Sequence, residues 1–364
     1  MPQKITSTID WFLYLAVAIL TGLGLLIIYG IAYKGEIFYL FWDQLIFAGI
    51  GFLLMIVFTL VDFRSFQGFY VYLYIFGLIL LILVLFFGKV SFGAARWLDF
   101  KIFQLQPSEV FKFILIITLA AYLSKNAKDF RLRHFIASLL IILMPILLVL
   151  KQPDFGTAFI LFIIGITMII AANIRLIYLS VIGFLGVVLT PITWLFILKD
   201  YQKERLITFL NPKSDPFGAG YNVLQSTIAI GSGMLRGRGF GGGFQSQLKF
   251  LPASHTDFIF AVFAEEMGFV GAIIILIIFL ILILKIIKIA KIAADDFGML
   301  ISIGTASLIL FQVLINIGMN IGLMPVTGIP LPFISAGGTS LIVNLILIGI
   351  LESIIIRHKK LTFG

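Results

Sequence analysis

The sequence predicts an all-α membrane protein, a polytopic bundle of about ten transmembrane helices. Three observations predict this fold. The 364 residues are 61% hydrophobic and only 12% charged, whereas soluble globular chains are about 25% charged. Apolar stretches long enough to cross a bilayer recur from one end of the chain to the other. No internal repeat and no second soluble domain interrupts them, so we expect residues 1–364 to form one domain.

Ten apolar stretches, most of them about 17–25 residues long, are candidates for membrane spans. In chain order they are 11–33, 38–61, 68–88, 108–124, 134–151, 155–173, 176–199, 257–287, 297–323 and 338–356. The boundary between the sixth and seventh is the least marked, because only "AANIR" separates them. The N-terminal run lacks a small-residue cleavage site, so we expect it to be retained as the first span.

Lysine and arginine in the short loops predict the orientation, because they are more frequent on the cytoplasmic side. With a cytoplasmic N-terminus, thirteen lie inside: Lys4, Arg64, Lys125, Lys128, Arg131, Arg133, Arg175, Lys285, Lys288, Lys291, Arg357, Lys359 and Lys360. Five lie in the short outer loops: Lys34, Lys89, Arg96, Lys101 and Lys151. Both termini are therefore predicted to be cytoplasmic. Residues 200–256 then form one large extracytoplasmic loop between the seventh and eighth helices.

The composition also limits the kind of site. The chain has no cysteine, which excludes disulfides and thiolate metal sites, and its three histidines are scattered. We therefore expect no resident metal ligand set. A net charge of +9 suits a protein among anionic lipids or with an anionic substrate. The basic residues are spread over many loops, so we expect no nucleic acid partner.

Asp257 is the most unusual residue of the outer face, because it stands at the start of the long apolar run 257–287. In one interpretation Ser254 caps a helix and Asp257, three residues later, complements the helix dipole. In the other, Asp257 is a general base at the membrane surface. The spacing alone leaves both open.

Two further pairs on the outer side have alternative interpretations. Glu109 and Lys112 lie one turn apart on a predicted helix. They either neutralise each other at the membrane edge or act together, orienting Asp257 or holding a phosphate. Arg96 and Trp97 form either an interfacial anchor or a phosphate-binding arginine beside an aromatic ring.

Other polar residues lie within the apolar runs. On a straight helix Glu265 and Glu266 would lie about 12–14 Å deeper than Asp257, and they need a partner or a water-filled cavity. Gln312, Asn316 and Asn320 recur every four residues, which predicts hydrogen bonds between helices. The "GRGFGG" segment at 237–242 matches a dinucleotide-binding pattern, but no strand and helix flank it. Its glycines instead predict tight turns.

Five longer motifs, taken together, resemble the SEDS family (shape, elongation, division and sporulation), and its elongation branch more than its division branch. They are "GAARWLD" at 93–99, "QPSEVFK" at 106–112, "KQPDFGTA" at 151–158, "FQSQLKFLPASHTDFIFAVFAEEMGFVG" at 244–271 and "PVTGIPLPFISAGGTSL" at 325–341. Their order along the chain and the ten-helix layout agree with the family as well.

The resemblance implies a peptidoglycan glycosyltransferase of the bacterial inner membrane that polymerises lipid II into β-1,4-linked strands during wall elongation. The family's catalytic aspartate falls on Asp257, and Glu109, Lys112 and Thr256 are expected to support it. Candidate substrate-binding residues are Arg96, Trp97, Gln106, Ser108, Asp154, Arg236, Arg238, Gln245, Ser335, Gly337 and Gly338. The implied partners are a class B penicillin-binding protein, which crosslinks the strands, other proteins of the elongation complex, and membrane lipids.

The chemistry of that reaction fits these residue types. An α-linked pyrophosphate is replaced by a β-linked sugar, so a single displacement needs a base on the acceptor hydroxyl and charge stabilisation at the leaving group. Asp257 can supply the base, and Arg96, Lys112, Arg236 or Arg238 the charge, together with a divalent cation such as Mg²⁺ or Mn²⁺. Inverting glycosidases follow the same logic with two carboxylates, but pyrophosphate leaves without a general acid.

Two other functions suit a polytopic membrane protein: a flippase or transporter of a lipid-linked precursor, and a non-catalytic scaffold for wall synthesis. Transporters usually collect their polar groups near the membrane midplane, on broken helices. This sequence collects them in the outer loops, which favours chemistry at the membrane surface.

Overall fold

The computed structural model describes residues 9–32, 38–91, 94–100, 103–172, 220–248 and 250–363, and a few single positions between 178 and 209. Apart from those single positions, the predicted seventh span at 176–199 and residues 200–219 of the large loop lie outside the described residues. The count of ten helices and the position of the large loop therefore stay predictions.

The described chain is mostly helical, as the sequence predicts. Its helices are α1 (Trp11–Ala32), α2 (Tyr39–Leu60), α3 (Phe66–Phe87), α4 (Pro107–Asn126), α5 (Leu132–Lys151), α6 (Phe155–Ala171), α7 (Tyr221–Ser232), α8 (Phe244–Gln247), α9 (Ile259–Ile292), α10 (Asp296–Asn320) and α11 (Gly338–Phe363). Short 3₁₀ turns lie at Phe63–Ser65 and Ala127–Asp129. Among the described residues, eight helices are long and apolar enough to cross a membrane, and α6 is a shorter apolar helix inside a predicted span.

A small antiparallel sheet, which the sequence analysis did not predict, lies between α3 and α4. Its strands are β1 (Lys89–Ser91), β2 (Ala94–Asp99) and β3 (Gln104–Leu105), in the order β1-β2-β3. β2 pairs with both neighbours. Each strand is short, so periodicity along the sequence gives little signal for it.

The centre of the bundle is formed by α4, α10 and α11, most of whose residues are buried, whereas few residues of α2 and α3 are buried. The exposed side chains of α3 are largely apolar, among them Phe69, Tyr72, Phe76 and Phe86. This is the composition expected where a helix faces lipid. Residues that must bind a polar ligand therefore have to lie at the ends of the central helices.

Ion pairs join the helix ends predicted to be cytoplasmic. Arg357 contacts Asp62 at 3.0 Å and Arg64 contacts Asp295 at 2.8 Å, which links the α2–α3 turn to α11 and to the start of α10. Burial opposes ionisation of Asp62. The backbone N–H of Arg64 and the Arg357 guanidinium outweigh it and hold the pKa of that carboxyl below its usual value. All four residues therefore lie at one end of the bundle.

Cysteine labelling tests the predicted orientation cleanly, because the chain has no native cysteine. We expect a cysteine at position 215 to react with a membrane-impermeant maleimide in intact cells. A cysteine replacing Asp129, an exposed residue of the α4–α5 turn, should react only after the cytoplasmic side is opened. The opposite pattern at the two positions would contradict the orientation.

Candidate active site

Alternation along β2 separates two neighbouring candidate residues. Successive side chains of a strand point to opposite faces, so Arg96 and Leu98 share one face and Trp97 and Asp99 the other. The Arg96 guanidinium donates to the carbonyl oxygens of Gln152, at 3.4 Å, and of Pro153. Both carbonyls belong to the turn between α5 and α6. In this structure Arg96 therefore fastens the sheet to that turn, and Trp97 faces away from it.

We expect Arg96→Ala to lower the free energy of unfolding by about 1.5–3 kcal/mol, the range for hydrogen bonds that involve a charged group. Chemical unfolding in detergent measures it. Arg236→Ala is the matched control, because Arg236 is exposed and should change stability by less than about 0.5 kcal/mol. Equal stability of the two variants would show that the contacts of Arg96 contribute nothing.

The backbone around Asp257 is held by three successive carbonyl groups. The carbonyl of His255 accepts from the Ala336 N–H at 2.9 Å, and that of Thr256 accepts from the Ser335 hydroxyl at 2.7 Å. The Asp257 carbonyl accepts from the side-chain amides of Asn316 and Asn320, both at 3.0 Å. The donors lie in two different elements, α10 and the loop 325–337. Together they fix the backbone of residue 257 and with it the direction of the Cα–Cβ bond of Asp257.

Ser254 is not the N-cap residue of α9, so this part of the capping interpretation is wrong. Helix α9 begins at Ile259, and Phe258 at the N-cap position makes no side-chain capping bond. Asp257 thus precedes the helix instead of lying in its first turn. Its Oδ2 lies 3.5 Å from the place where a Cβ at Gly328 would stand, and Gly328 has φ +72°. A side chain at that position would be strained, and its Cβ would be in van der Waals contact with the carboxylate.

A buried glutamine of α2 holds the loop 325–337, which connects α10 to α11. Gln44 donates from Nε2 to the Ser335 carbonyl at 3.2 Å and accepts from the Gly337 N–H at 3.1 Å. Gly338 starts α11 and packs against Phe47, where a Cβ would collide with the ring. Gln44 was not among the residues predicted from the sequence, although a polar side chain inside an apolar span is a recognisable signal.

A cavity of about 490 Å³ opens between α2, the sheet and the 255–256 segment. Four of the predicted residues line it: Trp97, Thr256, Gly337 and Gly338. Asp99 and His255 line it as well, and neither was predicted. We call this space the outer cavity. Asp257 follows Thr256 directly, so the predicted base and the outer cavity are adjacent along the chain.

The ion-pair interpretation of Glu109 and Lys112 is confirmed. Lys112 Nζ and Glu109 Oε1 are 2.6 Å apart, and both side chains are almost completely buried. The pair lies in the first turns of α4. Gln106, the N-cap residue of α4, donates its N–H to the hydroxyl of Thr339 in α11 at 3.3 Å. Ser108 is fully buried beside the pair along the chain, so Gln106 and Ser108 belong to the packing of α4 and not to the outer cavity.

Asp154 has a structural place as well. Its carboxylate caps α6 by accepting from the Thr157 N–H at 3.2 Å, and its side chain is buried. Gly156, in the same turn, packs against the backbone of Thr327. The "KQPDFGTA" motif thus brings the start of α6 against the loop 325–337.

The long helix α9 is broken at Gly268, which has φ 68° and ψ −169°. The segment 234–239 fills the break. Arg238 and Gly239 donate their N–H groups to the carbonyls of Glu265 and Glu266 at 3.0 Å, and Phe269 donates to Met234 at 2.8 Å. The glycines of "GRGFGG" at 237, 239 and 241 all have positive φ, which confirms that they form turns.

The remaining outer candidates lie on or beside this segment. Arg236 is exposed, and Arg238, also exposed, stacks over Phe244 at 5.5 Å. The backbone N–H of Gln245 donates to Glu265 Oε1 at 2.9 Å. Glu265 is therefore partnered, as a buried carboxylate requires. None of Arg236, Arg238 and Gln245 is among the described residues that line the outer cavity.

Helix α9 is regular from Ile259 to Met267, so the break at Gly268 lies beyond Glu265 and Glu266, and their depth below Asp257 stays a prediction. Glu266 Oε1 lies 3.5 Å from the Cβ position of Gly30, two residues before α1 ends at Ala32. Asp257 contacts Asn320, the last residue of α10. Both carboxylates therefore lie next to helix ends on the outer side. The break at Gly268 is where α9 changes direction.

The predicted stripe on α10 does make hydrogen bonds between elements. Asn320 Oδ1 accepts from the Ala261 N–H at 3.1 Å, and Asn316 Nδ2 also donates to the Ile329 carbonyl at 2.8 Å. Gln312 is buried, but its side-chain amide has no hydrogen-bond partner within the described residues. The expectation is thus confirmed for Asn316 and Asn320 only.

The FtsW/RodA/SpoVE family of cell cycle proteins matches residues 10–360. The chain belongs to this family. It is 42% identical over 312 residues to "Peptidoglycan glycosyltransferase MrdB" of Escherichia coli (strain K12), covering 86% of this chain and 84% of that protein. FtsW/RodA/SpoVE is the SEDS family, so the resemblance drawn from the five motifs is confirmed.

Two solved structures of similar fold extend the comparison. The rod shape determining protein RodA of Thermus thermophilus has a TM-score of 0.72 and 28% identity, covering 97% of both chains. A chain from the structure described as "Structural coordination of polymerization and crosslinking by a peptidoglycan synthase complex" has a TM-score of 0.82 and 30% identity, covering 98% of this chain and 99% of that one. The FtsW/RodA/SpoVE fold therefore extends over nearly the whole chain.

Proposed function

We propose that the protein is a peptidoglycan glycosyltransferase of the bacterial inner membrane that joins lipid II molecules into β-1,4-linked glycan strands during wall elongation, with Asp257 as the general base. The observation that carries the proposal is the way Asp257 is held. Three carbonyl groups at 255–257 are hydrogen-bonded to two elements, and the outer cavity begins one residue away. The name of the Escherichia coli relative supports the reaction.

The reaction needs only one base from the protein. A sugar hydroxyl of the acceptor attacks the anomeric carbon of the donor, and the carbon–oxygen bond to pyrophosphate breaks with inversion. The proton of the hydroxyl passes to the Asp257 carboxylate, and the bonding electrons leave with the pyrophosphate. Asp257 lies directly before Phe258, the N-cap residue of α9, next to the lining of the outer cavity.

Glu109 and Lys112 are proposed to support Asp257 without touching the substrate. Lys112 is 2% exposed and its ammonium group is already paired. A pyrophosphate contact would have to break that buried ion pair, which costs about 3–5 kcal/mol. A positioning role at the start of α4 needs no such change. The Gln106–Thr339 bond links this helix end to α11, whose first residue, Gly338, lines the outer cavity.

Charge for the leaving pyrophosphate is proposed to come from Arg236 and Arg238. Both guanidinium groups are exposed on the outer side and can form bidentate contacts with phosphate. Arg96 is a weaker candidate, since carbonyl groups already occupy its guanidinium. Among the described residues no group of three His, Cys, Asp or Glu side chains could hold a metal ion. A divalent cation fits better as a companion of the pyrophosphate than as a resident of the protein.

The proposed partner is a class B penicillin-binding protein that crosslinks the new strands. A chain of similar fold belongs to a complex described as coordinating polymerisation and crosslinking. The substrate arrives from the membrane, so the enzyme, the lipid anchor and the crosslinking partner have to meet at the outer surface. Other elongation proteins and membrane lipids are further proposed partners. Both termini are proposed to lie in the cytoplasm.

A gel assay with purified protein and labelled lipid II tests the reaction. We expect a ladder of glycan chains from the wild-type protein, with or without its partner. A flippase or a scaffold would give no ladder, so an assay without polymer from well-folded protein and its partner would reject the transferase.

A further inference from the structure

The outer cavity has a chemistry of its own. Its wall combines aromatic rings, among them Trp97, Phe47 and Phe103, with the carboxylates of Asp43 and Asp99. None of the described residues that line it is lysine or arginine. Lys89 lies nearby, but it is paired with Asp99 at 2.9 Å. The described wall is therefore aromatic, and Asp43 is its one carboxylate without an ion pair among the described residues.

Such a wall repels a pyrophosphate. Like charges repel each other more strongly in a partly enclosed site than in bulk water, because the effective dielectric constant is lower there. His255 adds no compensating charge at neutral pH, because burial lowers the pKa of its imidazole. The backbone N–H groups of Ala336 and Gly337 are already bonded to the His255 carbonyl and to Gln44. The wall therefore offers an anion few donors.

The same wall suits the hydroxyl-rich rings of a sugar. Hydroxyl groups donate to carboxylates, and such charge-assisted bonds are stronger than neutral ones. Asp43 makes no hydrogen bond or ion pair within the described part of the chain, so its oxygens can accept them. An indole such as that of Trp97 offers a large flat apolar surface. The volume of about 490 Å³ lies in the usual range of small-molecule sites.

We propose that the outer cavity binds the uncharged sugar rings of the acceptor and leaves the pyrophosphate groups outside. The inference rests on the proposed function, and it adds Asp43, Asp99 and Trp97 as the residues that recognise the acceptor. The choice of acceptor follows from position. Thr256 lines the outer cavity and Asp257 comes next in the chain, and the base acts on the hydroxyl of the acceptor and not on the donor.

The test uses full-length protein in detergent carrying Asp257→Asn, so that no reaction takes place. Ligand-observed NMR measures binding of N,N′-diacetylchitobiose, an uncharged disaccharide. Added to this background, Trp97→Ala and Asp43→Asn should each weaken binding at least about fivefold. Trp42→Ala is the matched control. Trp42 is exposed on the same helix as Asp43 but does not line the outer cavity, so binding should be unchanged.

A competition arm separates sugar from phosphate. Inorganic pyrophosphate should not displace the disaccharide. Displacement would overturn the proposal and would point to a cation outside the described residues, such as Lys101, in the same space. Unchanged binding in folded Trp97→Ala and Asp43→Asn proteins, or no binding to the folded background protein, would also overturn it.

The outcome is independent of the proposed function. Disaccharide binding in the outer cavity together with a wild-type protein that makes no glycan would reject the transferase and leave the sugar site in place. Polymerisation by the wild type without disaccharide binding would reject the sugar site alone.

Discussion

Asp257→Asn is expected to abolish glycan polymerisation, with a loss of at least about 100-fold, the lower end for general acid–base catalysis. The amide has nearly the shape of the carboxylate but cannot take a proton from a hydroxyl. The four hydrogen bonds at 255–257 are accepted by three backbone carbonyl groups and not by the Asp257 side chain, so the exchange leaves them in place. The gel assay with labelled lipid II measures the loss.

Asp295→Asn is the matched control for this exchange. Asp295 caps α10 at the other end of the bundle and pairs with Arg64 on the surface. Asparagine caps helices as well as aspartate does, and an exposed ion pair contributes about 0–1 kcal/mol. We expect this variant to polymerise at the wild-type rate. An Asp257→Asn protein that folds, inserts and still makes glycan would exclude Asp257 as the base.

Hydropathy predicted most of the fold because a membrane span is a local property of the sequence. A run of apolar residues has to be long enough to cross the bilayer, and every backbone group in it has to be satisfied within the helix. The described membrane helices fall in the predicted stretches. The Glu109–Lys112 pair could also be predicted from the sequence, since residues three apart on a helix are neighbours.

The features that the sequence did not predict depend on contacts between distant parts of the chain. The break at Gly268 is stabilised by hydrogen bonds to the segment 234–239, about 30 residues earlier. A continuous apolar run gives no sign of it. Arg96 was interpreted as an interfacial anchor or as a phosphate-binding arginine, and neither interpretation predicted its bonds to the α5–α6 turn, more than fifty residues later. Periodicity within one element carries no information on such partners.

The hydrogen bonds that hold the backbone at Asp257 were not predictable for the same reason, because they come from distant residues. Its motif located the residue, but the bonds that fix it come from Asn316, Asn320, Ser335 and Ala336. Those residues lie some sixty to eighty positions further along. The sequence analysis did single out Asn316 and Asn320, because polar side chains at helical spacing inside an apolar span need partners. It did not predict that their partner is the Asp257 carbonyl.

Breaking the Glu109–Lys112 pair should have the largest effect on stability. Lys112→Met keeps the length of the side chain but leaves Glu109 buried, 3% exposed, without its cation. Removing one partner of a buried ion pair costs about 3–5 kcal/mol, because the remaining charge is uncompensated. Chemical unfolding in detergent measures the change. Lys112→Met protein as stable as the wild type would contradict a buried pair.

The double variant Glu109→Gln/Lys112→Met separates stability from catalysis. Replacing both members of a buried pair by neutral groups of similar volume is often close to neutral for stability, so we expect most of the lost stability to return. If the pair only packs the start of α4, the double variant should recover polymerisation together with stability. We expect instead that the double variant folds normally and polymerises lipid II poorly, because the proposed support of Asp257 needs the charges and not only the volume. Full activity in the stable double variant would remove Glu109 and Lys112 from the mechanism.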